Sequence, residues 1–375
     1  MRWGLQTRLL RKILLGFVYL SSLKYYMHSI KIICLLLLFC SIKCFAQQPM
    51  ITILDSGHKT SLRGLSVVDD KVIWASGSNG TVARSLNGGK TFEWLTVKGY
   101  ENRDFRDIEA FDANTAIIMG IAEPAVILKT KDGGKTWKEV FRNTAKGMFL
   151  DAMDFKNAKH GVVIGDPLTN QPYIAYTDDG GERWQIPAGS AKSMLPVLDS
   201  GEAFFASSGT NITEVKDVFT SPGSCLIVSG GMSAKLYGLG SFKIKLPLVQ
   251  GRSSTGANSV AAYPTPGGFN GVVVGGDFSH DQIIDSNCVL FRMDKRGQQL
   301  TFPQTPPHGY RSCVAYLTKD KLITCGTSGI DISNDGGMNW QLVSRQSFHV
   351  CQKAKKGVAV FLAGANGKIA KLQAQ

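Results

Sequence analysis

Short apolar runs rich in β-branched residues, each closing on glycine, recur along the chain. Seven stand out: Val72-Ile-Trp-Ala-Ser-Gly77, Ala116-Ile-Ile-Met-Gly120, Gly161-Val-Val-Ile-Gly165, Cys225-Leu-Ile-Val-Ser-Gly230, Gly271-Val-Val-Val-Gly275, Lys321-Leu-Ile-Thr-Cys-Gly326 and Gly357-Val-Ala-Val-Phe-Leu-Ala-Gly364. A continuous apolar run bounded by turn residues reads as a strand buried on both faces. Around each run the order repeats: a short strand, a turn, the glycine-closed strand, a loop, then another strand. No stretch has a convincing 3.6-residue apolar period, and glycine is abundant at 41 residues, so the class is all-β.

A short phrase follows the third strand in four units. Its copies are Ser85-Leu-Asn87-Gly-Gly-Lys-Thr-Phe92, Thr130-Lys-Asp132-Gly-Gly-Lys-Thr-Trp137, Thr177-Asp-Asp179-Gly-Gly-Glu-Arg-Trp184 and Ser333-Asn-Asp335-Gly-Gly-Met-Asn-Trp340. The first three begin 45 and 47 residues apart, and the fourth follows 156 residues later, close to three further periods. Seven units of about 47 residues fill the chain beyond residue 46, which predicts a seven-bladed β-propeller of four-stranded antiparallel blades. The last unit stops after its third strand, Gly367-Lys-Ile-Ala-Lys-Leu372, while Met50-Ile-Thr-Ile-Leu54 precedes the first unit without a partner. Placing residues 50–54 as the outer strand of the last blade closes the ring and removes an open edge. Units four and five lack the phrase, and the irregular stretch 188–224 reads as an insertion before blade four.

The N-terminal residues change the picture of location. Ile32–Phe39 is a short apolar run preceded by Lys31 and followed by Cys44-Phe45-Ala46, as in a secretory signal peptide cleaved after Ala46. Residues 1–46 are therefore a signal peptide or N-terminal extension, with Met27 a candidate start and a retained anchor the competing reading. The expected location is secreted, periplasmic or cell envelope, with no stable membrane span once the segment is removed. Residues 1–46 hold seven Lys and Arg and no acid, so without them the formal charge falls from +13 to +6. The remaining basic residues are spread among glycine-rich turns, which argues against nucleic acid as a partner. Five cysteines remain, Cys225, Cys288, Cys313, Cys325 and Cys351; an odd count without CxxC suggests buried thiols, with Cys313 and Cys325 placed to face one another across a hairpin.

In the phrase, Asp or Asn suits a carboxylate or amide accepting turn amides, paired glycines accept positive φ, and the Trp adds apolar area. These residues match the Asp-box, or bacterial neuraminidase repeat, which marks propellers and says little about activity. Over residues 50–372 the chain resembles a narrower group, the photosystem II stability/assembly factor family and its non-photosynthetic relatives. The carriers are Ser61-Leu-Arg63-Gly-Leu, Asp104-Phe-Arg106-Asp107-Ile-Glu-Ala-Phe-Asp, Gly165-Asp166-Pro, Gly201-Glu202-Ala-Phe-Phe-Ala-Ser-Ser-Gly, Gly275-Gly-Asp277 and Gly309-Tyr-Arg311-Ser. The resemblance implies an exported seven-bladed propeller that binds a protein partner. No dinucleotide or redox motif accompanies it, and neither cofactor nor metal is expected.

Antiparallel strands put the start of each first strand and the end of each second strand on one face, called the top, and the phrase turns on the bottom. First-strand starts in blade order are Arg63, Arg106-Asp107, Asp151, Glu202, Ser259, Arg311 and His349; loops after second strands add Glu123, Asp166 and Asp277. Tyr310, beside Arg311, is a candidate aromatic wall. Charge of both signs converging on one mouth suits a polar ligand, and arginine forks suit an acidic segment or a C-terminal carboxylate. A set of internal ion pairs, such as Arg106 with Asp151, is the structural alternative. The enzymatic alternative is a sialidase-like glycoside hydrolase, with Arg63, Arg106 and Arg311 as an arginine triad and Tyr310 with Glu202 as nucleophile pair.

Overall fold

The computed structural model describes residues 50–189, 195–215, 225–239 and 242–373; the signal-peptide expectation for residues 1–46 lies outside them. Seven antiparallel sheets stand in sequence order as seven blades. Blade 1 runs through Leu62–Val67, Ile73–Gly77, Thr81–Ser85 and Glu93–Thr96, and blade 2 through Phe105–Ala110, Ala116–Gly120, Ala125–Thr130 and Lys138–Asn143. Neighbouring innermost strands pack in a closed cycle, that of blade 7 (Val350–Lys353) returning to that of blade 1. The seven glycine-closed runs are the second strands, whose side chains are almost wholly buried because each is covered by the blades on both sides.

Ring closure follows the sequence expectation. Ile51–Asp55 pairs antiparallel with Ile369–Leu372 as the outer strand of blade 7. Two blades depart from the simple plan. Blade 3 has three strands, its fourth reduced to a bridge between Tyr176 and Gln185. Blade 5 is extended at the top by Gly230–Gly231 and Glu202–Ala203. The innermost strand of blade 4 is therefore Ile212–Glu214, further along the chain than the Glu202 start expected from the sequence.

The four phrases form the bottom hairpins between third and fourth strands. In each, the Ser or Thr hydroxyl accepts the N–H of the second glycine, from Gly89, Gly134, Gly181 and Gly337 at 2.9, 3.0, 2.8 and 2.9 Å. The same hydroxyl donates to Asn87, Asp132, Asp179 or Asp335. Hydrogen bonds from the Thr136 hydroxyl and amide hold the half-buried Asp132 carboxyl down at about 2. The second glycine also faces the preceding blade: a Cβ on Gly134 would lie 2.8 Å from Leu95, and one on Gly181 would lie 2.4 Å from Ile117. The recurrent carboxylates thus tie turns and seat one blade on the next, which is a packing role. All five described cysteines are free and buried, and Cys313 stands opposite Cys325 as expected.

Among the phrase tryptophans Trp340 is buried and Trp184 only half-buried. Trp340→Ala should therefore lower unfolding free energy by about 3–5 kcal/mol, measured by urea titration, and Trp184→Ala by clearly less. Equal losses would contradict the buttressing described.

Candidate functional site at the top of the channel

In four innermost strands one residue escapes pairing. Leu62 stands opposite Gly77 and Gly64 opposite Ser76, so Arg63 lies in a β-bulge between them. The same skip leaves out Arg106 in blade 2, Asp151 in blade 3 and Asn258 in blade 5. In blades 6 and 7 the equivalent places are held by Ser312 and His349, whose amides reach Cys325 O and Ala363 O. A bulge re-aims a side chain that the pleat would otherwise bury. Arg63, Arg106, Asn258, Ser312 and His349 accordingly line one top-face cavity of about 490 Å³, together with Phe149, Asp166, Phe205, Ser207, Phe278 and Tyr310.

The floor of this cavity comes from the irregular stretch before blade 4. The Ser207 carbonyl accepts Arg63 Nη1 at 3.1 Å, and Ser207 Oγ donates to Asn258 Oδ1 at 2.9 Å. Ser208 Oγ donates to the Ser312 carbonyl at 2.7 Å. Gly209, at φ +70°, faces Asp107, and a Cβ there would lie 2.4 Å from the carboxyl carbon. A segment touching blades 1, 2, 5 and 6 from within crosses the channel. Ser207 lines the upper cavity, whereas Ser208, Gly209 and Thr210 line a separate lower one of about 270 Å³. The expected insertion is thus a plug, and the top cavity is blind.

Charge in the cavity is unevenly compensated. Arg63 has no carboxylate at ion-pair distance among the described residues; burial and then repulsion from Arg106 lower its pKa, yet a guanidinium stays charged at neutral pH. Arg106 Nη2 makes one long contact with Asp104, 3.4 Å, and its Nε is buried without a partner. The expected Arg106–Asp151 pair does not form. Asp151 is fully buried without a cationic partner at ion-pair distance among the described residues, and burial, reinforced by nearby Asp166, pushes its pKa well up despite Arg106 and the backbone amides of Asp166 and Ala206. Asp166 lines the cavity and accepts the Phe204 amide at 2.9 Å; burial raises it too. Tyr310 donates to Asn258 Oδ1 at 2.8 Å and is raised to about 12, chiefly by burial. Its ring belongs to an edge-to-face series, Phe205–Phe278 at 5.9 Å and Phe278–Tyr310 at 6.2 Å, forming an aromatic wall.

Besides the fully buried Asp151, four sequence-predicted site residues do not line the cavity. Arg311 corresponds in register to Leu62, one residue before the bulge, and a one-residue offset sends a strand side chain to the other face. Its guanidinium is wholly buried, bound to Asp331 through Nε at 2.7 Å and through Nη2, and to Ser328 Oγ at 2.5 Å. Glu202 is buried in a knot with Lys235 Nζ at 2.8 Å, Tyr237 OH at 2.6 Å, the Asp199 amide and Ser229. Asp107 lies below the plug, accepting the amides of Met153 and Ile108 at 2.8 Å, with burial raising its pKa well above the usual range. Asp277 is buried beside its own loop, bound to the Ser279 amide at 2.9 Å and His280 at 3.0 Å. The nominated triad is therefore not assembled, and neither is Tyr310 with Glu202. Sequence reasoning missed Phe149, Phe205, Phe278 and Asn258; Phe205 and Ser207 lie inside the segment 201–209 already quoted as a family resemblance, whose course across the channel local patterning does not encode.

Residues 53–145 match the family described as photosynthesis system II assembly factor YCF48. No curated protein matches the chain. Among solved structures, the chain is similar to YCF48 bound to D1 peptide, at 18% identity and TM-score 0.59 over 88% of this chain and 98% of that one. It is also similar to YCF48 from Cyanidioschyzon merolae, at 16% identity and TM-score 0.58 over 86% and 98%, and to the WD40 β-propeller domain of Doa1, at 12% identity and TM-score 0.54 over 87% and 98%.

Two outcomes test this geometry. Gly209→Ala should cost about 1–3 kcal/mol of stability, because a Cβ at positive φ meets the Asp107 carboxyl; a neutral effect would remove the plug as drawn. His349 has Nδ1 against the Leu62 carbonyl at 2.9 Å, so Nδ1 carries the proton and Nε2 a lone pair; burial, then Arg63, lowers its pKa from 6.5 to about 4. Protonation thus favours the unfolded chain, and the ring's contribution to stability is lost as pH falls from 6.5 towards 4. Histidine NMR should find His349 neutral at pH 6, and a midpoint near 6.5 would contradict its placement.

Taken together, the chain is a seven-bladed propeller whose first two blades carry the sequence pattern of the photosystem II assembly factor YCF48 family.

Proposed function

We propose that this chain is an exported, non-enzymatic binding module that holds a protein or peptide partner by a carboxylate placed between Arg63 and Arg106. The observation that carries this reading is a pair of guanidinium groups in one blind cavity, one without a carboxylate partner and the other with a single long contact. Like charges brought together in a partly desolvated site are costly, and an incoming carboxylate relieves that cost with charge-assisted hydrogen bonds. A propeller of this architecture has been solved with a bound peptide, YCF48 with D1 peptide, which supports a peptide as the class of ligand. The Asp-box hairpins then act as bottom-face buttresses. The apolar run and Ala46 site near the N-terminus support export to the periplasm, cell envelope or medium.

Hydrolase chemistry is disfavoured by the position of Arg311, which is committed to Asp331 inside blade 6. Arg63→Gln with Arg106→Gln should abolish capture of the partner from envelope extracts, while the thermal transition stays within a few degrees of the parent. Undiminished capture by the double variant would overturn the carboxylate site. Turnover of fluorogenic sialosides or other glycosides, lost in the same variant, would overturn the non-enzymatic reading.

A further inference from the structure

Exposed apolar side chains are concentrated on one side of the mouth. Among the described residues twelve large apolar side chains are exposed, and six of them, Leu168, Val197, Met232, Phe278, Ile283 and Ile284, sit on top-face loops of blades 3 to 5. The other six are scattered along the bottom and outer edges, as single exposed residues usually are. Across the mouth, the top loops of blades 1 and 2 instead expose polar side chains such as Lys59, Asn79 and Asn102.

The apolar rim is continuous with the cavity wall. Phe278 is 48% exposed at the rim and also meets Phe205 and Tyr310 edge-to-face inside. Phe205 lies over Gly230, where a Cβ would stand 2.3 Å from its ring, and Met232 follows two residues on, 54% exposed. On the other flank, the loop carrying Ile283 and Ile284 is tied to the cavity by the Tyr310 amide donating to the Asp281 carbonyl at 2.8 Å. An apolar surface of this kind, running into a cavity with fixed positive charge, marks an interaction site rather than ordinary exposed carbon.

We infer that the rim formed by Met232, Phe278, Ile283 and Ile284 is a specificity surface that reads apolar residues immediately preceding a partner's C-terminal carboxylate. This inference rests on the carboxylate-binding reading above. The two halves of the mouth are complementary to such a ligand: cations over blades 1 and 2 for the terminal charge, apolar surface over blades 4 and 5 for the residues before it. The plug makes the cavity blind, so a chain end can enter where a through-going strand cannot. Because only one flank is apolar, one exit path is favoured, which suits a terminus and not an internal loop that must leave twice. The polarity of the mouth thus fixes the direction of the bound peptide.

Fluorescence anisotropy of the intact protein with N-terminally labelled octapeptides tests this. The probes are a peptide ending in four aliphatic residues as the free acid, its C-terminal amide, a twin with Ser, Asn and Gln before the same last residue, and an amidated peptide with the aliphatic residues flanking an internal Glu. The aliphatic free acid should bind at least about tenfold tighter than each of the others. Met232→Ser with Ile283→Ser and Ile284→Ser, all at exposed positions, should erase the preference for the aliphatic peptide over its polar twin yet keep the preference for acid over amide. Equal binding of the polar twin to the parent protein would overturn the rim and leave the carboxylate site standing. Equal binding of the amide would overturn the carboxylate site itself, and equal binding of the internal-Glu peptide would overturn the chain-end assignment. Binding of none of them would overturn both readings.

Discussion

Four innermost strands of the propeller carry near their start a residue that the neighbouring strand does not pair, and the position of that residue and of its equivalents in blades 6 and 7 governs what the channel contains. Backbone pairing forces side chains to alternate between faces that are both buried by adjacent blades. An extra residue breaks the alternation and turns its side chain toward the axis. Arg63, Arg106, Asn258, Ser312 and His349 reach the top cavity because they occupy this place in their blades. Arg311, one residue earlier, enters the interior and needs Asp331 and Ser328 to be tolerated there. A buried guanidinium is stable only when so fully bonded, and Arg63, with one carbonyl, is not.

The plug and the bulges act together. Without residues 204–209 the upper and lower cavities would join, and water would screen the arginines from below. The plug also supplies the Ser207 carbonyl that orients Arg63 and the Ser207 hydroxyl that shares Asn258 with Tyr310. Its own polar groups are bonded to four different blades, which is how an irregular segment can be accommodated in the middle of a β-fold. Burial lowers the pKa of His349 and raises those of Asp151 and Asp166, as expected of a site removed from bulk solvent.

Much of this architecture was legible in the residues. Glycine-closed second strands, the phrase period and the unpartnered strand at residues 50–54 led to seven blades and the correct closure, because these features are local and repeat. Strand parity also placed the top and bottom correctly. The individual site residues were harder. Arg63, Arg106, Asp166, Tyr310 and His349 do meet at the cavity, but Arg311 and Asp107 were misplaced by single-residue offsets that only the bulge register reveals. Glu202 was misplaced because the real innermost strand of blade 4 starts after the plug. Phe278 and Phe205 were missed since nothing in an apolar residue within a loop signals that it faces a channel.

Closure through Ile51–Asp55 ties the two ends of the propeller into one sheet, with Gln373 donating to Thr52 across 321 residues of sequence. Contacts of such separation are the last that a growing chain can make. Six blades can assemble in order as they emerge, but the first strand must remain unmated until residues 369–372 arrive. The circular seam therefore acts as a proofreading of length: a chain truncated before its final strand keeps an unsatisfied edge at either end, exposed to degradation or to mispairing with a second copy.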